Sequence, residues 1–265
     1  MNTIQQIPVK CHSYSLTKRL TTDKIYFKGK YMKKLKDTVY LLESGRFVNM
    51  YAIVHGKSAV IIDNGTPGKA NNILDELSAI RVKPCDIEAV IITHAHPDHA
   101  GSSGALLARL YAKLYVHEGD LGVLLGKEPF PKPHYALEKL SVFVTTHVWK
   151  YKPPAEAIAL DESSLIPGFP GLKIIHTPGH TPGCLSVLDP ESGTLFCGDA
   201  LNNRADKLTG PLKYFTGDMD QAWRSIEKIS ALPFNTLCPG HGNCIPENAQ
   251  QKVKDLLTVN RQKPK

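Results

Sequence analysis

Thr93-His94-Ala95-His96-Pro97-Asp98-His99 follows directly on residues 87–92, a nearly continuous apolar run. Such a run reads as a strand buried on both faces, so the motif stands at the C-terminal end of a buried strand. In extended chain His94 and His96 project to the same side, while Pro97 turns the backbone and lets Asp98 and His99 address a second point. Four nitrogen and oxygen donors aimed at two points suit two metal ions.

Working outward, three more donors appear in similar settings. His180 lies in His176-Thr177-Pro178-Gly179-His180-Thr181-Pro182-Gly183, Asp199 in Phe196-Cys197-Gly198-Asp199, and His241 in Pro239-Gly240-His241-Gly242. Each directly follows a glycine after a strand-like run, where the backbone can turn sharply or approach a ligand closely. Five histidines and two aspartates without a cysteine form a set suited to Zn²⁺, Fe or Mn²⁺, and mixed imidazole and carboxylate ligation marks a catalytic site with an open position. His176 reads as a structural partner of the set, His117 as the end of a strand, and His12 and His55 as surface residues. Cys197 reads as a small buried hydrophobe.

The flanking pattern is that of an α/β domain. Residues 38–42, 48–54 and 59–62 predict an antiparallel meander. Thr66 and Pro67 predict the start of a helix carrying Ile73, Leu74, Leu77 and Ile80, and a small-residue helix is expected over 99–110. Strands are expected at 114–117, 172–175, 184–188, 194–197 and 236–238. One helix is expected from Asp218, with Gln221 completing a capping box, and another after Pro246. Residues 127–170 hold seven prolines and several aromatics. They read as an insertion or lid whose Phe130, Tyr135, Phe143, Trp149 and Tyr151 could wall a pocket, with His134 and His147 beside them.

At 265 residues and 42% hydrophobic, the chain is long enough to bury a large core, which excludes a disordered or disulfide-scaffold class. Its six cysteines include no C-x-x-C pair and read as reduced thiols. The net charge of +7 is unevenly spread: residues 1–36 carry nine basic residues against Asp23, and the remainder is close to neutral. Residues 1–36 therefore read as a basic, solvated arm ahead of a domain over 37–265, and neither a nucleic-acid partner nor a membrane is expected. Without a secretory segment or an apolar run of spanning length, a cytoplasmic protein acting on a small molecule is expected.

The joint pattern resembles the metallo-β-lactamase superfamily. The resemblance rests on Asp63 in Ile61-Ile62-Asp63-Asn64-Gly65, the H-x-H-x-D-H segment, His180, Asp199 and His241, in family order from residue 38 to about 258. It implies a four-layer αβ/βα sandwich with metals in a cleft at one edge of the two sheets. It further implies that His94, His96 and His180 hold one ion, that Asp98, His99 and His241 hold the other, and that Asp199 bridges them. Asp63 would support the site through hydrogen bonds. The implied chemistry is hydrolysis by a hydroxide held between two divalent ions, zinc first, with Asp98 also able to orient the nucleophile.

Within that superfamily the chain is most similar to glyoxalase-II-like hydrolases of esters or thioesters. Secreted zinc β-lactamases carry a cysteine where this chain has Asp199, and flavodiiron enzymes carry a glutamate at the second histidine of the motif. The capped nucleases need more chain than the 41 residues between Asp199 and His241. Only 24 residues follow His241, too few for the glutathione-binding extension of glyoxalase II, and Asn202 replaces the tyrosine of acyl-homoserine lactonases. The alternatives are an iron-dependent oxidoreductase resembling persulfide dioxygenases, whose Asp-Ala-Leu element recurs at Asp199-Ala200-Leu201, or a small lactonase or phosphodiesterase.

Overall fold

The computed structural model describes residues 20–21, 24–27, 30–45, 47–129 and 151–262. Its first sheet runs in chain order: β1 (Leu20–Thr21), β2 (Lys24–Phe27), β3 (Lys30–Lys34), β4 (Val39–Leu42), β5 (Met50–His55), β6 (Ser58–Ile62), β7 (Ile87–Ile91), β8 (Lys113–His117) and β9 (Ile158–Leu160). The strands from β1 to β6 pair antiparallel, as expected for tight connections, and β6 to β9 pair parallel across longer crossovers. The crossovers carry α1 (Ala70–Ala79), α2 (Pro97–Ala100), α3 (Ser103–Leu107) and α4 (Glu118–Leu124).

A second sheet, in the order β10 (Lys173–His176), β11 (Leu185–Asp189), β12 (Thr194–Gly198) and β15 (Thr236–Pro239), packs on the first. Strands β12 and β15 are parallel and joined through α5 (Met219–Ser230), while α6 (Ala249–Arg261) follows β15. A hairpin of β13 (Asn202–Arg204) and β14 (Lys207–Thr209) stands beside them, its turn formed by Ala205 and Asp206 in the left-handed region.

Alternation along the strands explains the layering. In β6, Ala59 and Ile61 face a core shared with α1 and α3, while Val60 and Ile62 face the second sheet. In β12 and β15, Phe196 and Cys238 face the first sheet, while Leu195, Cys197 and Leu237 face α5 and α6. Three buried cores thus separate four layers, helix, sheet, sheet and helix, which is the expected sandwich. Among the described residues no helix is long and apolar enough to cross a membrane.

The structure departs from the sequence reading in four places. Strands β2 and β3 lie within the segment expected as a solvated arm: β3 bonds along β4, and Met32 is buried in the core under α1. Lys33 and Lys34 remain exposed, in keeping with lysine on outer strands. The first helix starts at Ala70 rather than Pro67, because the Ser102 hydroxyl, arriving from elsewhere in the chain, accepts the Lys69 N–H and donates to the Thr66 carbonyl. The helix expected over 99–110 is two short ones. A Cβ at Gly101 would lie 2.4 Å from Pro67 Cδ, and the Ser102 N–H is drawn to Asn64 Oδ1, so the chain kinks between α2 and α3. Finally, 151–170 is built into the body through β9 and the buried Phe169, and Tyr151 donates to the Leu124 carbonyl. Phe130, His134, Tyr135, Phe143, His147 and Trp149 lie outside the described residues.

Helix α5 begins at the expected cap, with Asp218 accepting the Gln221 N–H at 2.8 Å, but Gln221 does not complete a capping box, because the Asp218 N–H donates to the Gly179 carbonyl instead. Asp218→Ala is expected to cost about 1 kcal/mol, the usual worth of an N-cap carboxylate. Urea unfolding should show a lower midpoint at an unchanged slope.

Candidate metal centre

All seven predicted donors converge in the loops that follow the C-terminal ends of β7, β10, β12 and β15. His94 Nε2 lies 3.1 Å from His96 Nδ1, and His180 Nε2 lies 3.0 Å from the same atom. A second group holds His99 Nε2 at 3.4 Å from His241 Nε2, with Asp98 Oδ2 at 3.3 Å from His241 and 3.8 Å from His99. Asp199 spans the two. Its Oδ2 is 3.6 Å from His180 Nε2 and 3.4 Å from His241 Nε2, and its Oδ1 is 3.4 Å from His99 Nε2.

Hydrogen bonds on the outer ring nitrogens decide what the inner ones offer. Thr93 Oγ1 donates to Asp63 Oδ2, so it accepts from His94 Nδ1–H at 3.1 Å. Thr216 Oγ1 donates to the Leu212 carbonyl and likewise accepts from His180 Nδ1–H at 3.3 Å. His99 Nδ1–H donates to Asp63 Oδ2 at 2.7 Å, and His241 Nδ1–H donates to the Phe47 carbonyl at 2.6 Å. Four Nε2 lone pairs are thereby turned inward, and His96 offers Nδ1.

This crowd of lone pairs fits a cation. Tetrahedral zinc with nitrogen ligands at 2.0–2.1 Å sets ligand atoms about 3.3–3.4 Å apart, close to the spacings found in both groups. Asp199 Oδ1 is buried and accepts no hydrogen bond, as expected of a carboxylate oxygen meant for a metal. The electrostatics agree. Burial and then the neighbouring imidazoles push His94 well down, and burial with His96 takes His180 down to about 3. Burial opposes ionisation of Asp199, but His241 and His99 outweigh it and hold the carboxyl low; His99 does the same for Asp98. The site therefore favours ionised carboxylates and neutral imidazoles at His94 and His180, the forms that bind metal. His99 is the exception: against burial, the carboxylates of Asp63, Asp98 and Asp199 raise it.

Asp63 is buried and left-handed at φ 58°, a conformation that costs a non-glycine residue about 1–2 kcal/mol. Bonds from Thr93 N–H, Thr93 Oγ1 and His99 hold it there. His176 touches none of the seven. Its Nε2–H donates to the Pro182 carbonyl and its ring stacks on His117 at 3.7 Å, which steadies the turn carrying His180. His55 stacks on Phe169, and Cys197 is fully buried. Asn202 is buried with its amide unpartnered, Asn203 donates to the Asn243 carbonyl, and Tyr214 is half exposed.

Sequence reasoning missed Asp120. This buried carboxylate accepts Ala95 N–H at 2.7 Å and Thr181 Oγ1 at 2.9 Å on Oδ2, and Gly183 N–H at 2.7 Å on Oδ1. It thus joins the loop of His94 and His96 to the loop of His180. In sequence it is one of two acids in the first turn of a helix, where acids are common for the helix dipole alone.

The comparisons with known proteins agree with this geometry. The family model described as the metallo-beta-lactamase superfamily matches residues 44–241. A Bacillus subtilis protein named "Probable metallo-hydrolase YflN" is 32% identical over 218 residues, 76% of this chain and 81% of that protein. The hydroxyacylglutathione hydrolase of Aeromonas hydrophila is 29% identical over 191 residues, 71% of this chain but only 58% of its own length. Among solved structures, TTHA1623 in a di-iron-bound form aligns at 25% identity with a TM-score of 0.57, covering 75% of this chain and 89% of that one.

Proposed function

The chain belongs to the metallo-beta-lactamase superfamily, and from that premise we propose that it is a two-metal hydrolase of thioesters or activated esters. The observation that carries the reading is Asp199, whose carboxylate lies within 3.4–3.6 Å of nitrogen donors from both groups. His94, His96 and His180 would hold one ion and Asp98, His99 and His241 the other, with Asp199 available to both; zinc is the proposed metal. Divalent ions there supply water that ionises near neutral pH and positive charge opposite an oxyanion.

The chain's own residues do the rest. Asp63 and Thr93 fix the rings of His99 and His94 by hydrogen bonds, so the donors need not reorganise during reaction. Asp98 has the most open side chain of the carboxylates, 30% exposed against 9% for Asp199, and is placed to orient a water as well as to ligate. Phe47, whose carbonyl accepts the His241 Nδ1–H, exposes 77% of its surface beside the site. Leu212 and Tyr214, flanking the Thr216 contact to His180, are also exposed. These side chains give the mouth an apolar lip suited to an acyl group.

The test compares kcat/KM for S-lactoylglutathione, an aryl ester, a lactone and bis-(p-nitrophenyl) phosphate on metal-analysed protein. Two metal equivalents and preference for the thioester or aryl ester are expected. Preference for the phosphodiester by more than roughly 100-fold, about 2.7 kcal/mol, would reject the acyl reading. One iron per chain with oxygen uptake on glutathione persulfide would replace it by the dioxygenase reading.

A further inference from the structure

We propose that Cys238 and Cys244 form a reversible dithiol–disulfide site, oxidised by peroxide, that closes the base of the loop carrying His241. Leu237 and Ile245 exchange both backbone hydrogen bonds, N–H of each to carbonyl of the other, at 2.9 Å. The next residues inward, Cys238 and Cys244, therefore stand directly opposite as a non-hydrogen-bonded antiparallel pair. Such pairs bring Cα atoms to about 4.5 Å, inside the window of roughly 4.4–6.8 Å that disulfides span.

Their side chains share a face. Leu237 and Ile245 pack toward α5 and α6, whereas Cys238 and Cys244 both pack into the core between the sheets. Both thiols are free, and Cys244 Sγ lies 3.4 Å from the Tyr51 hydroxyl, which itself donates to the Pro239 carbonyl inside the loop.

The two cysteines are unequal, which assigns their roles. Cys244 is half-buried, and the neighbouring Cys238 thiol, with the Tyr51 hydroxyl beside it, holds its thiol below the ordinary value. Cys238 is fully buried, which raises it. Cys244 attacks one oxygen of hydrogen peroxide, breaking the O–O bond and giving a sulfenic acid and water. Cys238 sulfur then attacks the Cys244 sulfur, the S–O bond breaks, and a second water leaves. Two thiols and one peroxide thus yield one disulfide and two waters. Neither step displaces the loop, because the strand register already supplies the approach.

The test treats the full chain with stoichiometric hydrogen peroxide, then denatures, alkylates and digests it. Both cysteines fall in one tryptic peptide, residues 229–252. That peptide is expected to lose two hydrogens and take up no alkylating reagent, with two of the six thiols lost overall and recovered by dithiothreitol. Cys238→Ala should leave Cys244 as a sulfenic acid trapped by dimedone, and Cys244→Ser should leave Cys238 unoxidised. Oxidation of the exposed Cys85 alone, or sulfinic acid at Cys244 without a disulfide in the unaltered chain, would overturn the proposal.

Discussion

Asp199→Ala is expected to lower kcat/KM by about 10³-fold or more and to strip metal from a protein that still folds. The magnitude follows from what the carboxylate touches. Removing a single preorganised contact to developing charge typically costs about 10²–10³ in rate, and Asp199 reaches both donor groups at once. Its loss also removes a carboxylate that lies within 3.4–3.6 Å of His99, His180 and His241, so binding of a second cation suffers together with turnover. Stability should change much less, because Asp199 Oδ1 accepts no hydrogen bond that folding would miss. The decisive measurement is elemental analysis of the variant after circular dichroism has shown it folded. Full occupancy at two sites would end the bridging role, whatever the activity.

The site was legible in sequence to an unusual degree because its donors sit where local rules act alone. His94, Asp199 and His241 follow buried strands, and a glycine or proline at each exit advertises the turn. The strands around them were legible for a related reason: with both faces buried along most of their length, β6, β7 and β12 are apolar apart from Ser58, Glu88 and Thr194. Reading failed where a distant residue decides. Ser102, not Thr66, satisfies the start of α1, and Pro67 against Gly101 breaks the following helix. Neither contact leaves a periodic trace in its own segment. The N-terminal strands were hidden by composition: their lysines look like a solvated tail until β4 supplies a bonding edge and Met32 an anchor. Segment 151–170 was hidden by its prolines, which mask a three-residue strand too short to show alternation.

Asp120 gives the second large effect, and it tests whether the loops are held as a unit. Asp120→Ala would leave Ala95 N–H, Gly183 N–H and the Thr181 hydroxyl without their acceptor. At about 1–3 kcal/mol for each buried donor left unsatisfied, the cost is about 4 kcal/mol or more, a large part of a typical domain's stability. Asp120→Asn is the sharper experiment. An amide must point its NH₂ either at Gly183 N–H or at the Ala95 and Thr181 donors. The better orientation forfeits only the Gly183 bond, so a loss of about 2 kcal/mol is expected and the protein should fold. If Asp120 positions His94, His96 and His180 through these bonds, the folded asparagine variant will release metal to a chelator at 10–100-fold lower concentration than the parent chain, the usual effect of disturbing groups behind the ligands. Its kcat should fall while its far-ultraviolet spectrum stays unchanged. A variant with lowered urea midpoint but parental metal affinity and kcat would show that Asp120 merely stabilises the fold, and that the two loops keep their geometry without it.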